Sequence, residues 1–150
     1  MQDRIRLFSG VLLASVVAGM PVVAQETSQS SAGTLTATTI ADGLEHPWAL
    51  SILPDGRFLV TERPGRLRII ADGVVGDAIE GVPEVVARGQ GGLLDVTMAP
   101  DFAETGQLYL SYAEPGEGGT GTAVMSARLE LDGDSGRLVD QAVIFRMNNF

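Results

Sequence analysis

The chain has 150 residues, 45% of them hydrophobic and 19% charged, a balance that excludes an intrinsically disordered protein. Its formal net charge is −9, which excludes holding nucleic acid or an anionic membrane by bulk electrostatics. Every basic residue is an Arg and there is no Cys, so lysine Schiff bases, a phosphate-loop lysine, disulfides and thiolate ligands are all excluded.

Residues 1–24 read as a secretory signal. Arg4 and Arg6 form a basic start, and Leu7 to Val17 is apolar except for Ser9, Gly10 and Ser15. Val22, Val23 and Ala24 then precede a cleavage point at Gln25. The apolar run is too short and too broken for a span of about 20 residues. Cleavage would leave 150 − 24 = 126 residues, with Asp3, Arg4 and Arg6 removed and the charge moved from −9 to −10. The expected location is the periplasm or the exterior, with no membrane span in the mature chain.

Residues 25–39 (QETSQSSAGTLTATT) are small and polar and read as a flexible leader. The folded domain is expected over 40–150. There, short apolar runs are cut by Gly, Pro and Asp, with no long amphipathic helix. Trp48 to Leu53 ends at the turn Pro54-Asp55-Gly56, and Arg57 to Glu62 ends at Arg63-Pro64-Gly65. Arg66 to Ala71 ends at Asp72-Gly73, a hairpin dipeptide. These predict a three-stranded antiparallel meander. Leu93 to Met98, Gln107 to Tyr112, Thr122 to Leu131 and Val139 to Phe145 predict further strands.

The turns at Pro54 and Pro100 are 100 − 54 = 46 residues apart, each after an apolar strand and before one carrying Leu and an aromatic. A period of roughly 40 to 50 residues with several strands per repeat indicates β-propeller blades. A sandwich with two similar hairpins also fits the pattern. Two to three blades do not close a ring of about four to eight, so the sequence reads as a truncated or partial propeller. An open blade edge predicts poor solubility.

The segment GLEHPWALSILPDGRFLVTERPGRLRII (Gly43 to Ile70), followed by GVPEVVARGQGGLLDVTMAPDFAETGQLYLSYAEPG (Gly81 to Gly116), resembles the start of the soluble glucose/sorbosone dehydrogenases. The aldose sugar dehydrogenases of that family are the nearest in pattern, and the likeness runs from Gly43 to Arg146. The resemblance implies an all-β, six-bladed propeller, here represented by its first two to three blades. It also implies oxidation of an aldose at its anomeric carbon to a lactone, with a His as base. Hydride passes to pyrroloquinoline quinone, calcium sits beside the quinone, and an external acceptor takes the electrons.

Of the family's active-site positions, Gln90 in Arg88-Gly89-Gln90-Gly91-Gly92 is the one matched here. The resemblance implies that its amide bonds within the sugar and quinone pocket. A neutral amide both donates to and accepts from hydroxyls without titrating, and flanking glycines let backbone approach a planar ligand. Read without the resemblance, Gly89 to Gly92 is a turn leading into a strand. The family's catalytic His and its Arg, Lys and calcium ligands are expected beyond residue 150, so the chain alone is expected to be inactive. A non-catalytic sugar- or protein-binding propeller is the alternative. A calcium-dependent lactone hydrolase is disfavoured, because GQGGLLD offers an amide where that chemistry needs carboxylates.

The remaining candidates read as structural. His46, the single histidine, precedes Pro47 and Trp48, and its ring is expected to bond a turn or a carbonyl. Trp48 is expected to pack between blades rather than stack on a sugar. Asp132-Gly133-Asp134-Ser135-Gly136 resembles a calcium loop, but the twelfth position is Val143, so a hairpin turn is expected. Glu62-Arg63 and Arg66-Arg68 are expected as exposed charge pairs of little energetic weight. Asp95 interrupts an apolar run and is expected to be buried against backbone amides. Gly116 to Gly121 lacks a following Lys and reads as a flexible loop.

Overall fold

The computed structural model describes residues 25–148. The expected signal segment, 1–24, lies outside the described residues. The chain divides into two units, Met1–Thr38 and Thr39–Phe150.

The described part of the first unit is a hairpin of β1 (Gln25–Ser30) and β2 (Gly33–Thr38). Here the structure differs from the expected leader. Alternating Thr residues favour an extended chain, and Ser30 Oγ donates to the Gly33 carbonyl (2.9 Å) and accepts from the Ala32 amide (3.2 Å) across the turn. Every residue of both strands is exposed, so the hairpin has no apolar face to bury.

The second unit is two successive four-stranded antiparallel meanders. The first contains β3 (Pro47–Ile52), β4 (Phe58–Glu62), β5 (Arg66–Ala71) and β6 (Val74–Ala78), in that spatial order. Asp72 and Gly73 both take positive φ, 49° and 80°, which matches the twist of a two-residue hairpin. That turn launches β6, a fourth strand that its Gly76 and Asp77 hid from the apolar pattern. The second meander contains β7 (Leu93–Met98), β8 (Gln107–Gly116), β9 (Gly119–Asp132) and β10 (Ser135–Arg146), again in order. Between β7 and β8 lies a single helical turn, α1 (Phe102–Thr105), closed by Gly106 at φ 69°. The expected loop at Gly116 to Gly121 is the tip of the β8–β9 hairpin, with Gly116 paired to Gly119.

The two sheets stack first strand on first strand and last on last: β3 and β4 lie against β7, and β6 against β10. Their first strands begin at Pro47 and Leu93, a separation of 93 − 47 = 46 residues that reproduces the spacing of the Pro-Asp turns. Consecutive meanders packed in this way are neighbouring propeller blades; a Greek-key sandwich would route strands between sheets. Between them lie Leu59, Leu67, Ile69, Leu93, Leu108 and Leu110, each 0% exposed, with Ala123, Met125 and Ala127 of β9 alternating inward. Full burial of one such Leu or Ile stabilises by roughly 2 kcal/mol. Two hydroxyls join the sheets: buried Thr61 Oγ1 donates to the Leu94 carbonyl (2.6 Å) while accepting from the Ala49 amide (3.0 Å), and half-buried Ser51 Oγ donates to the Val96 carbonyl (2.9 Å).

Several side-chain expectations are corrected. Asp95 is exposed, because the β7–β8 register shifts between Leu93 and Val96 and turns it outward; its carboxylate accepts from the Val96 amide at 2.9 Å. Glu62 is not a surface charge: it is 1% exposed. Asp132 to Ser135 is a hairpin turn as expected, and it binds the other sheet through Arg57, which donates to the Gly133 carbonyl and to Asp134.

Candidate functional site

The segment between β6 and β7 runs along one end of the blade pair. Ile79 anchors it in the core, Val86 N–H donates to the Ala113 carbonyl (2.9 Å), and Gly91 N–H closes a turn onto Arg88 (2.9 Å). Gly91 and Gly92 are required by the fold itself. A Cβ on Gly91 would stand 2.6 Å from the Val86 carbonyl oxygen, and one on Gly92 2.3 Å from that of Arg63. These two glycines therefore serve close approach of the chain to itself, not to a planar ligand. Gly89 differs: it has φ +60°, and nothing lies within 4 Å of where its Cβ would stand. Gln90 is exposed between them, and its amide makes no hydrogen bond among the described residues.

Arg63, at the end of β4, holds this loop. Its Nε and Nη2 donate to the Gly91 carbonyl at 3.1 and 3.0 Å, and Nη2 also donates to the Gly89 carbonyl. Its main chain is tied on both sides, the amide to the His46 carbonyl (3.1 Å) and the carbonyl to the Leu93 amide (3.0 Å). Its guanidinium lies 5.9 Å from the Trp48 ring centroid.

Trp48 is 49% exposed, so it is not buried between these two blades. The alternation of β3 explains this: Ala49 packs on the core, which sends Trp48, Leu50 and Ile52 to the opposite face. His46 is exposed with φ 48°, and its contact here is made by its carbonyl rather than its ring.

Beneath this end lies a charge cluster built around buried Glu62. Glu62 Oε2 accepts from Arg66 Nε (2.6 Å) and Arg68 Nε (3.0 Å), and Oε1 accepts from the Glu45 amide. Arg66 also reaches Glu45 at 2.7 Å. Burial pushes the Glu62 carboxyl up, but the Arg66 guanidinium, the Glu45 amide and Arg68 outweigh it and hold the pKa at about 2, below its usual 4.5. The signal was present in the sequence: a tight turn at Arg63-Pro64-Gly65 pairs Glu62 directly with Arg66.

A surface cavity of about 790 Å³ lies at the opposite end, and Asp55, Arg57, Asp72 and Asp134 are among its lining residues. Among the described residues no three His, Asp or Glu side chains converge to hold a metal ion. The Gln90 end carries an exposed neutral amide, a half-exposed indole and an anchored cation.

The family model described as Glucose / Sorbosone dehydrogenase matches residues 44–150. The chain belongs to the glucose/sorbosone dehydrogenase family. It is 45% identical over 116 residues to the aldose sugar dehydrogenase YliI of Escherichia coli, covering 75% of this chain and 31% of that protein. A solved glucose dehydrogenase is 49% identical, with a TM-score of 0.69 over 85% of this chain and 36% of its own. The quinone-bound (PQQ-bound) aldose sugar dehydrogenase of Streptomyces coelicolor shares the fold, at 24% identity and a TM-score of 0.64 over 85% of this chain and 36% of its own. The chain thus spans about a third of the length of the relatives it matches. Within this glucose/sorbosone dehydrogenase chain, among the described residues, no helix is long and apolar enough to cross a membrane.

Proposed function

We propose that the chain forms the first two blades of an exported quinoprotein that oxidises aldoses at the anomeric carbon. The observation that carries this reading is Gln90: an exposed, unpaired amide on a loop fastened at both flanking carbonyls, inside the family match. Gln90 would bond sugar hydroxyls and orient the ring, and Trp48 would offer its half-exposed face to the ligand. Pyrroloquinoline quinone, when bound, supplies the two-electron acceptor for the sugar's hydride, and an external acceptor reoxidises it. No step is assigned to calcium, since the described residues gather no ligand set for it. Neither is a base, because the described His46 is exposed at a turn and engaged through its backbone. The chain by itself is therefore proposed to bind without turning over, and its location to be periplasmic.

Trp48 is the single Trp, so its fluorescence reports on this end alone. Titration of the chain with pyrroloquinoline quinone and D-glucose should quench it, and Gln90→Ala should weaken the response. Quenching that is identical in wild type and Gln90→Ala would overturn the assignment of Gln90. Dye-linked glucose oxidation by the chain alone would overturn its proposed inactivity.

A further inference from the structure

We propose that Arg63 is the positioning residue of this site: it fixes the direction of Gln90 by clamping the carbonyls on either side of it. The proposal rests on the reading of Gln90 above, but its geometry stands independently. One guanidinium bonds the Gly89 and Gly91 carbonyls, so the residue between them is held at two points. Those glycines cannot hold the loop through side chains, and Gly89 has open space around it.

The clamp is itself held. The Arg63 main chain bonds His46 at the start of β3 and Leu93 at the start of β7, and Trp48 lies under the guanidinium. Among the described residues no carboxylate pairs with Arg63, although six arginines of the same two blades' sheets and turns are paired with carboxylates: Arg57, Arg66, Arg68, Arg128, Arg137 and Arg146. Its donors go to backbone carbonyls instead. A planar fork with five N–H donors can span two carbonyls and stack on an indole at once; a lysine ammonium is a point charge without that shape.

The test uses the full chain as wild type, Arg63→Lys, Arg63→Ala and Gln90→Ala. Amide hydrogen exchange is followed by mass spectrometry across residues 86–93, with β8 as the internal reference. The clamp predicts exchange about tenfold faster in the loop of both Arg63 variants, with β8 unchanged, and no change in Gln90→Ala. Loop exchange at the wild-type rate in Arg63→Lys overturns the proposal; this variant keeps the charge and serves where Arg63→Ala does not fold. In the second arm, Trp48 quenching by pyrroloquinoline quinone and D-glucose is compared in Gln90→Ala and in Gln90→Ala combined with Arg63→Lys. A positioning role predicts that Arg63→Lys alone weakens binding but adds less than about twofold to Gln90→Ala; full additivity overturns it. If wild type binds neither ligand, the functional reading of Gln90 fails, while the exchange arm still decides whether Arg63 sets the loop.

Discussion

Glu62 and Arg66 face each other as a register pair across the β4–β5 turn, with Oε2 2.6 Å from Nε. The carboxylate is buried, whereas the guanidinium keeps about a third of its surface in water (side-chain exposures 2% and 30%). Removing the acid would leave two arginines with lost acceptors at the same point, which is costlier than losing a surface pair.

This relationship predicts a pH dependence. The folded-state pKa of Glu62 is about 2 against a usual 4.5. A depressed carboxylate pKa contributes stability that is fully present above about 4.5 and is lost as pH falls toward 2, a contribution of roughly 3 kcal/mol. Urea unfolding of wild type and Glu62→Gln across this range should therefore show a constant stability gap above pH 5 that closes toward pH 2. A gap independent of pH would mean that Glu62 is not held ionised in the fold.

The loop glycines predict opposite tolerances. Gly92→Ala sets a Cβ 2.3 Å from the Arg63 carbonyl oxygen at φ +136°, whereas Gly89→Ala meets nothing at φ +60°. The first should cost several times more than the second, whose left-handed strain alone is about 1 kcal/mol. Thermal melts of the two variants check the order.

The blade interface predicts a core response. Leu110 is 0% exposed within the cluster between the sheets. Leu110→Ala should lower stability by about 3 kcal/mol through lost transfer energy and the cavity left behind, read from the denaturation midpoint. Gln90→Ala, on an exposed side chain, should change it by less than about 0.5 kcal/mol.

The free face of the first blade predicts self-association. Trp48, Leu50 and Ile52 are each about half exposed on one side of β3, and Trp48 and Leu50 line, with Phe58, an apolar groove of about 410 Å³. Leu50→Thr combined with Ile52→Thr should raise solubility without lowering the melting temperature by more than a few degrees. Light scattering of the two chains at equal concentration checks this; unchanged aggregation would place the sticky surface elsewhere.

Much of the architecture follows from the amino-acid order alone. Tight turns at Pro54-Asp55-Gly56, Asp72-Gly73 and Asp132-Gly133 punctuate period-two runs, and strand spacing and blade repeat follow from local backbone preferences. The motif around Gln90 was legible for the same reason, being contiguous in the chain. What the tertiary structure decided depends on contacts between segments distant in sequence. The fate of Trp48 depends on which face of β3 meets β7, and that of Asp95 on a register shift. The clamp from Arg63 to a loop 26 residues away arises only when the chain folds back across the start of β7. A charge's worth is set by the water and partners around it, and those are supplied by the fold.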